Sequence, residues 1–311
     1  MALPTGTLTT TSDISALVKT AYDQYVRMAL RSIPVMRALA DVKPVQQAMP
    51  GSSVVFSIYS DLATATGTLT ESSDVSSVAF GNPSTVSVTL NEYGNAVTTT
   101  KKLNLTSFND VDAALADVIA YNAADSIDVV VANVLTGGTN VIYGGTATGA
   151  SGVTASGTLA VADIREAVTQ LRTNKAVPRI GELYAAYVHP RQSADLRAEA
   201  GTGGFQELTK YVDRTPFVAG SVGVIEGAYV VETPRVLSAS NGASPAVTLY
   251  KAVVAGREAL AEAQAADIST VIGPEIDALR RFRTIGWYMF GGWNRLRESA
   301  LYRIESAASN G

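Results

Sequence analysis

The sequence predicts a mixed α+β fold in which one long helix dominates. A run of apolar residues at helical spacing extends through 107–138. Short segments in which apolar and polar residues alternate, as in half-buried strands, occur on both sides of that run. Between two of these segments lies a stretch, 61–84, that is poor in large apolar residues. Together these observations predict a helix and sheets that share one body, with one segment outside it.

Composition narrows the class of protein. The chain has 311 residues, of which 47% are hydrophobic, so it can bury a sizeable core. Only 17% are charged, below the usual quarter, which favours an uncharged surface that meets other copies of the chain. The formal charge is −4 and no long basic run occurs, which argues against a protein that grips nucleic-acid phosphates.

Cysteine and histidine counts exclude several kinds of site. Without cysteine there is no disulfide, thiolate metal site or thiol nucleophile. One histidine cannot form a zinc site of two or three histidines. The first residues lack the apolar core of a signal peptide, and no apolar run approaches the roughly 20 residues of a membrane span. We therefore expect a soluble protein made in a reducing cytoplasm, with no membrane partner.

The N-terminal region is predicted to be an extended arm followed by a helix. Residues 1–12 are rich in threonine and offer little to bury. From Ser12, which can cap a helix, apolar residues recur at helical spacing until Pro34 ends it. Its apolar residues are Ile14, Leu17, Val18, Tyr22, Tyr25 and Val26.

A hairpin with a long projecting connection is predicted next. The segments 54–59 and 86–90 each present one apolar strand face. The connection, 61–84, is longer than structureless loops in compact domains usually are, and it cannot offset its ordering entropy by burial. We therefore expect the hairpin to project from the body and a partner to order it.

The long helix is the clearest element. Ser107 and Asp110 resemble a capping box at its start, and Gly137 ends it. About 26 residues at 1.5 Å per residue span roughly 40 Å. Apolar residues at steps of three and four form the predicted buried face, which comprises Leu115, Ile119, Ala123, Ile127, Val130 and Val134.

The second half of the chain is predicted to mix helices and strands. A second amphipathic helix carries Ile164, Ala167, Val168 and Leu171 on one face. The other predicted elements are a hairpin or surface loop (139–158), a strand (183–188), a short helix (189–200), a flexible break (201–204), and strands at 222–232, 246–256 and within 280–305.

No catalytic, cofactor-binding or metal site is predicted. His189 precedes Pro190 at a strand end, and no serine elbow accompanies it, which favours a structural role. Glycine-rich segments 144–152 and 201–206 lack the lysine and the strand-to-helix context of phosphate loops. Other residue groups are assigned to ordinary structural roles. Asp117, Asp125 and Asp128 are predicted on a solvated or salt-bridged helix face, and Trp287, Tyr288, Phe290 and Trp293 in the core.

The order of these parts is similar to that of a known family. The segments that carry the resemblance are LTESSDV (69–75), LNEYGNAVTTTKKL (90–103), LRTNKAVP (171–178), YVHPRQSADLR (187–197), AGSVGVIEGAYVVETPRV (219–236) and GWYMFGGWNRLRESALYRIESAA (286–308). They resemble the major capsid proteins of tailed bacteriophages with the HK97-like fold, in particular the branch named after the N4 phage capsid protein. The resemblance extends over nearly the whole chain.

The resemblance implies a division of the chain. Its parts are an N-arm and helix (1–50), an E-loop (51–104), a P-domain (105–200) with spine helix 108–136, an A-domain (201–275) and a C-terminal return into the P-domain (276–311). It implies no enzymatic activity and no cofactor. The candidate contacts between subunits are Glu71 and Asp74 in the hairpin and Lys101 and Lys102 at its return.

The implied function is that of a major capsid protein of a tailed double-stranded DNA phage. Its copies would form the hexamers and pentamers of an icosahedral shell in the virion. The implied partners are sister copies, a portal, a separate scaffolding protein, packaged DNA without sequence-specific binding and, as a further candidate, a decoration protein. An encapsulin-like nanocompartment shell is the alternative, because it uses the same fold around an enzyme. A fibre subunit and a hydrolase fit less well, because the first predicts repeats and the second needs a catalytic His189.

Overall fold

The computed structural model describes residues 34–44, 53–59, 61–69, 71–72, 74–75, 77–106, 111–200, 223–243 and 246–310. The helix predicted from Ser12, the capping box at Ser107 and Asp110 and the break at 201–204 lie outside these residues.

The described residues form four α-helices and thirteen strands. The helices are α1 (Lys101–Thr106), α2 (Val111–Thr136), α3 (Val161–Thr173) and α4 (Pro190–Ala198). The strands are β1 (Ala40–Pro44), β2 (Ser53–Ile58), β3 (Ser84–Thr89), β4 (Asn91–Thr100), β5 (Val141–Tyr143), β6 (Tyr184–Val188), β7 (Val224–Ile225), β8 (Ala228–Glu232), β9 (Ser238–Ala239), β10 (Leu249–Ala255), β11 (Leu260–Ile276), β12 (Phe282–Arg295) and β13 (Leu301–Ser306). The predicted α+β class is confirmed.

A four-stranded sheet in the order β1-β11-β12-β4 forms one part of the body. β1 is parallel to β11, and the other neighbours are antiparallel. β11 has 17 residues against 14 in β12, and the pairing shifts register at three places. Such irregularities bend and twist a ribbon. The sheet is therefore long and curved, and it ends in the β11–β12 turn.

The helix α2 packs on one face of this sheet. Ile119 and Ile127 of α2 are buried in the same cluster as Trp287 and Met289 of β12. Trp287 Nε1 also donates to the side-chain oxygen of Asn122 at 3.0 Å, so its polar atom is satisfied. These contacts fix the long helix along the sheet.

The buried face of α2 agrees with the predicted face over its first part and then departs from it. Beyond Ile127, the buried residues are Asp128, Val131, Ala132, Leu135 and Thr136, whereas the predicted Val130 and Val134 are half-buried and pack against the same core. From Ile127 onward the buried residues still recur at steps of three and four, but the face is shifted by one position from the prediction. Which α2 residues are buried depends on where the sheet lies. In a stretch that is apolar throughout, periodicity alone does not determine this.

By length and composition, the window Leu115–Thr136 of α2 could cross a membrane. The core helix of a soluble protein meets the same criteria. Here the window lies against the four-stranded sheet, with Ala123 and Ile127 buried. Packing in the core therefore accounts for part of its apolar character, since 39% of the window is buried.

The predicted core position of four aromatic residues holds for two of them. Trp287 and Trp293 are buried, whereas Tyr288 is exposed. Phe290 is half-buried on the opposite face of the sheet, beside Ala261 and Ala263. Strand alternation explains this, because successive residues of β12 point to opposite faces.

A seven-stranded sheet forms the second part of the body. Its order is β5-β13-β10-β6-β8-β7, with β9 also paired to β10. All five residues of β6 are buried because both faces of the strand are covered: Ala185 and Tyr187 lie in one apolar cluster, and Tyr184, Ala186 and Val188 lie in another. The helix α3 covers the sheet with the predicted face, which is confirmed: Ile164, Ala167, Val168 and Leu171 are all buried.

The strand pairings group the chain differently from the predicted domain division. β6, from 105–200, lies between β8 and β10, which come from 201–275. β11, also largely from 201–275, belongs to the other sheet and pairs with β12. The named domains stay a prediction, and the pairings favour a boundary that follows the two sheets.

The predicted hairpin base is confirmed as the β2–β3 pair. Val54 lies opposite Val88 and Phe56 opposite Val86, so the apolar residues share one face. This face packs on the four-stranded sheet, on the side away from α2. The backbones come close at one glycine: a Cβ on Gly292 would lie 1.9 Å from the carbonyl oxygen of Thr89. The glycine therefore permits the hairpin to dock.

We expect Gly292→Ala to destabilise the subunit by roughly 1–3 kcal/mol, because the added methyl group must displace backbone rather than a mobile side chain. Urea unfolding measures the loss, and hydrogen exchange should quicken in β3. Gly149→Ala is the matched control, since its backbone is extended and a Cβ there meets nothing within 4 Å. Equal stability of the two variants would contradict the proposed role of Gly292.

The start of α3 holds a buried carboxyl group. Asp163 accepts a hydrogen bond from the Ala160 N–H at 3.0 Å, and Glu199 accepts one from the Val161 N–H at 2.8 Å. Burial raises the pKa of Asp163 to about 6, opposed by the Ala160 N–H and aided by the charges of Glu166 and Glu199. The folded state thus binds this proton more tightly than the unfolded chain does.

This pKa predicts a pH-dependent effect of Asp163→Asn. A raised carboxyl pKa contributes stability that is complete below about pH 4 and is lost as pH rises through about 6. The Asn variant, which stays neutral, should match the natural protein at pH 4 and exceed its unfolding free energy at pH 7.5, by at most about 3 kcal/mol. Urea titrations at both pH values measure the difference. A variant that is less stable at pH 7.5 would contradict the assignment.

Candidate self-assembly surfaces

The connection between β2 and β3 lies outside the body. All described residues within 61–83 are exposed, and none belongs to a helix or strand. The expectation that this stretch is poor in large apolar residues is wrong, because Leu69, Val78 and Phe80 are there with 62–76% of their surface exposed. Their apolar character can be read from the sequence, but their exposure cannot. Several large apolar side chains exposed within one segment indicate a surface that meets a partner.

The predicted contact residues Glu71 and Asp74 lie in this connection and are exposed. Asp74 accepts a hydrogen bond from its neighbour, the Val75 N–H, at 2.8 Å. The connection carries Asp61 as a third acidic residue and no lysine or arginine. We call residues 61–83 the acidic loop.

The other two predicted contact residues lie at the turn between β11 and β12. Lys101 and Lys102 begin α1 directly after β4, and the Lys101 N–H donates to the Arg281 carbonyl at 2.8 Å. We call this region, residues 277–283 with Lys101 and Lys102, the basic tip. Its charged residues are Lys101, Lys102, Arg280, Arg281 and Arg283 against Asp277 alone.

The basic tip also exposes apolar surface. Leu279 is 73% exposed, and Ile276 and Phe282 beside it are exposed as well. Within the tip, Arg281 pairs with Asp277 at 2.5 Å and lies over the Phe282 ring. Surface ion pairs of this kind contribute little to stability. The tip thus combines positive charge with uncovered apolar side chains.

The acidic loop and the basic tip lie at opposite ends of the four-stranded sheet. β4 pairs with β12 from Gly291 to Phe282 and so runs toward the tip. β3 precedes β4 in the same direction, with Thr89 at Gly292 and the Ser87 carbonyl bonded to Asn294. The loop therefore leaves the sheet beyond the end of β12, far from the tip. Within one chain, the loop that carries Glu71 and Asp74 therefore starts and ends at the opposite end of the sheet from Lys101 and Lys102.

The segment that connects the N-terminal region to the body is held by buried polar contacts. Asp128 of α2 is buried, and its Oδ1 accepts hydrogen bonds from the N–H groups of Met36 and Arg37 at 2.6 and 3.3 Å. Burial raises the pKa of Asp128, and the two N–H groups oppose that shift. The Arg37 guanidinium in turn binds the buried Glu262 of β11. The chain therefore enters the fold at a fixed place.

The prediction of a solvated or salt-bridged face agrees with the structure for the α2 aspartates. Asp128 is salt-bridged rather than solvated: it is buried beneath the entering segment, and Arg235 lies 3.8 Å from its Oδ2. Asp125 pairs with Arg235 and Asp117 is exposed, in agreement with the prediction. The partners of Asp128 at Met36 and Arg37 lie about 90 positions away in sequence, and no local signal identifies them.

His189 occupies the predicted position between a strand and a short helix. Its Nδ1 accepts a hydrogen bond from the Arg191 N–H at 3.2 Å, and so caps α4. The ring stacks on Tyr250 with 4.4 Å between centroids. Burial and the Arg191 charge lower the pKa of His189, which keeps the ring neutral and able to accept. The contacts of His189 are those of a structural residue. Within the described part of the chain, no group of three or more acidic or histidine residues could hold a metal ion.

Comparison with known proteins identifies one matching family model and several solved structures of similar fold. The family model described as phage capsid protein matches residues 8–309. A search of curated proteins gave no match. Among solved structures, the capsid of Ralstonia phage GP4 has a TM-score of 0.75 and 16% identity, covering 98% of both chains.

Two further capsids are similar in fold. The capsid of cyanophage P-SCSP1u has a TM-score of 0.73 and 17% identity, covering 99% of this chain and 97% of that one. The head structure of Helicobacter pylori bacteriophage KHP40 has a TM-score of 0.70 and 14% identity, covering 98% of this chain and 99% of that one.

Proposed function

This chain belongs to the phage capsid protein family, and we propose that its copies form hexamers and pentamers that close into an icosahedral shell around double-stranded DNA. Its role is that of a major capsid protein. The observation that carries the proposal is the position of two unlike surfaces, the acidic loop and the basic tip, at opposite ends of one sheet. A sheet with a different surface at each end favours head-to-tail contacts between copies. Such contacts close into a ring when the rotation that relates neighbouring copies permits it.

The proposed contact joins the four residues predicted from the sequence. Glu71 and Asp74 of one copy would face Lys101 and Lys102 of another, since the base of the acidic loop and the basic tip lie at opposite ends of the sheet in one chain. Each exposed pair contributes about 1 kcal/mol or less. Weak contacts repeated over many copies give a stable closed assembly and let misplaced copies dissociate.

We further propose an HK97-like subunit of the N4-like branch. The long α2 supports its assignment as the spine helix, and α2 with the four-stranded sheet would form the P-domain. The seven-stranded sheet with α3 and α4 would form the A-domain. Compared with the division predicted from the sequence, this moves 139–200 and β13 from the P-domain to the A-domain and β11 from the A-domain to the P-domain. The acidic loop would be the E-loop.

The remaining partners are proposals of the same kind. A net charge of −4 supports DNA that is enclosed without being held tightly. We infer synthesis in the cytoplasm of a bacterial host, and a portal, a separate scaffolding protein and a decoration protein as partners. The encapsulin-like alternative has less support, because the matching family is described as phage capsid protein.

Exchange of charges between the two ends tests the proposed contact. Glu71→Lys with Asp74→Lys, or Lys101→Glu with Lys102→Glu, should each lower the yield of closed shells by about tenfold, because like charges then meet in every contact. The variant with all four substitutions should recover the yield to within about twofold, because opposite charges are restored. Negative-stain microscopy and light scattering measure the yield.

Glu182→Lys is the control, since it reverses an exposed charge elsewhere in the chain. Two results contradict the contact: shells that form equally well in both double variants, or a quadruple variant no better than either. If the unaltered protein forms no closed particles under any condition, the proposed function itself is wrong.

A further inference from the structure

The segment that enters the fold, residues 34–44, contacts both halves of the body. We call it the strap; it consists of a short turn and β1. Met36 and Leu39 of the turn are fully buried, in a cluster that also contains Ile127 of α2 and Tyr187 of β6. Because α2 packs on the four-stranded sheet and β6 belongs to the seven-stranded sheet, these two side chains lie in a core that both sheets share.

Buried charges hold the strap on the side of the four-stranded sheet. Arg37 donates through Nε and Nη2 to Oε1 of Glu262 in β11, at 3.1 and 2.6 Å, and Glu262 is completely buried. Asp128 of α2, also buried, accepts the N–H groups of Met36 and Arg37. Removing one partner of a buried charge is costly, because the other stays buried without compensation. These contacts therefore favour a strap that is seated as a unit.

One arginine holds the strap at the junction with the seven-stranded sheet. Arg179, in the connection from α3 to β6, donates to the carbonyls of Ala38 and Ala40 at 2.9 and 3.1 Å. It also pairs with Asp41 at 3.3 Å, and the other oxygen of Asp41 accepts the Glu258 N–H at 2.7 Å. Glu258 lies in the turn that leads from β10 of one sheet to β11 of the other. The strap is thus bound where the two sheets meet.

The position of the strap also permits its release. β1 lies at the edge of its sheet and pairs in parallel, the less stable arrangement. Val42 and Lys43 are exposed. A cleft of about 590 Å³ opens beside the strap, lined mainly by the connections α3–β6, β10–β11 and β12–β13. This cleft leaves room for the two sheets to move relative to each other.

We propose that the strap locks the angle between the two sheets, and that its release lets the seven-stranded sheet turn relative to the four-stranded sheet. The lock has two states, because a half-seated strap leaves Glu262 or Asp128 buried without the donors that the strap supplies. Arg235, which binds Tyr121 and Asp125 of α2, is a second link and limits the movement. The lock acts within one subunit, so it goes beyond the proposed function.

Pulsed EPR distances between two spin labels test the lock in the dissociated subunit. The chain has no cysteine, so Val97→Cys in β4 and Tyr229→Cys in β8, both exposed positions, place one label on each sheet. Arg179→Gln then removes the grip on the strap. We expect the distribution of label distances to become about twofold broader, because several angles are then populated. Hydrogen exchange in β6 and β12 should stay within about twofold of the natural rates, because both sheets remain folded.

Arg172→Gln is the matched control, since it removes an exposed arginine of α3 that lies beside Gly227, and it should leave the distribution unchanged. If Arg179→Gln fails to fold, Asp41→Asn replaces it, because it removes the charge that Arg179 binds. An unchanged distribution in the strap variant overturns the lock, and so does equal broadening in Arg172→Gln. Neither result bears on the proposed function, which the charge exchange between the acidic loop and the basic tip tests separately.

Discussion

Packing of α2 along β12 is the interaction on which the rest of the structure depends. Ile119 and Ile127 meet Trp287 and Met289, and this contact gives the long sheet a rigid face. With one face covered by the helix, the hairpin base must dock on the other face, where Gly292 admits it. The sheet can then hold the acidic loop at one end and the basic tip at the other.

That arrangement leaves apolar surface that a single copy does not cover. Leu69 and Val78 in the acidic loop and Leu279 in the basic tip are each more than 70% exposed. Burial of such side chains contributes about 25 cal/mol for each Å² removed from water. Association is favoured when this gain exceeds the entropy cost of ordering the loop on a neighbouring copy. A segment that orders only on a partner binds weakly for its area. Weak, repeated contacts are what a phage capsid protein needs to correct errors while its shell closes.

Local periodicity accounts for what the sequence predicted. The face of α3 and the alternation of β2 and β3 depend on neighbours a few positions apart, so they are visible in the chain itself. β11 was not predicted, because LAEAQAADISTVIGPEI has no clean alternation and contains both Gly273 and Pro274. Its strand character comes from partners in β12 and β1.

The candidate site was also predictable only in part, because it too depends on contacts between residues far apart in the sequence. The charges of Glu71, Asp74, Lys101 and Lys102 could be read from the sequence, but their separation to opposite ends could not, since it follows from strand order. The burial of Asp128 depends on Met36, 92 positions away. Contacts of that range have no signature in a local pattern.

Hydrogen exchange of residues 61–83, compared between dissociated subunits and closed shells, tests the central claim most directly. If the acidic loop is ordered by a neighbouring copy, its amides should exchange at nearly the unfolded rate in the free subunit and at least about tenfold more slowly in the shell. Exchange that is equally fast in both states, or already slow in the free subunit, would contradict that account.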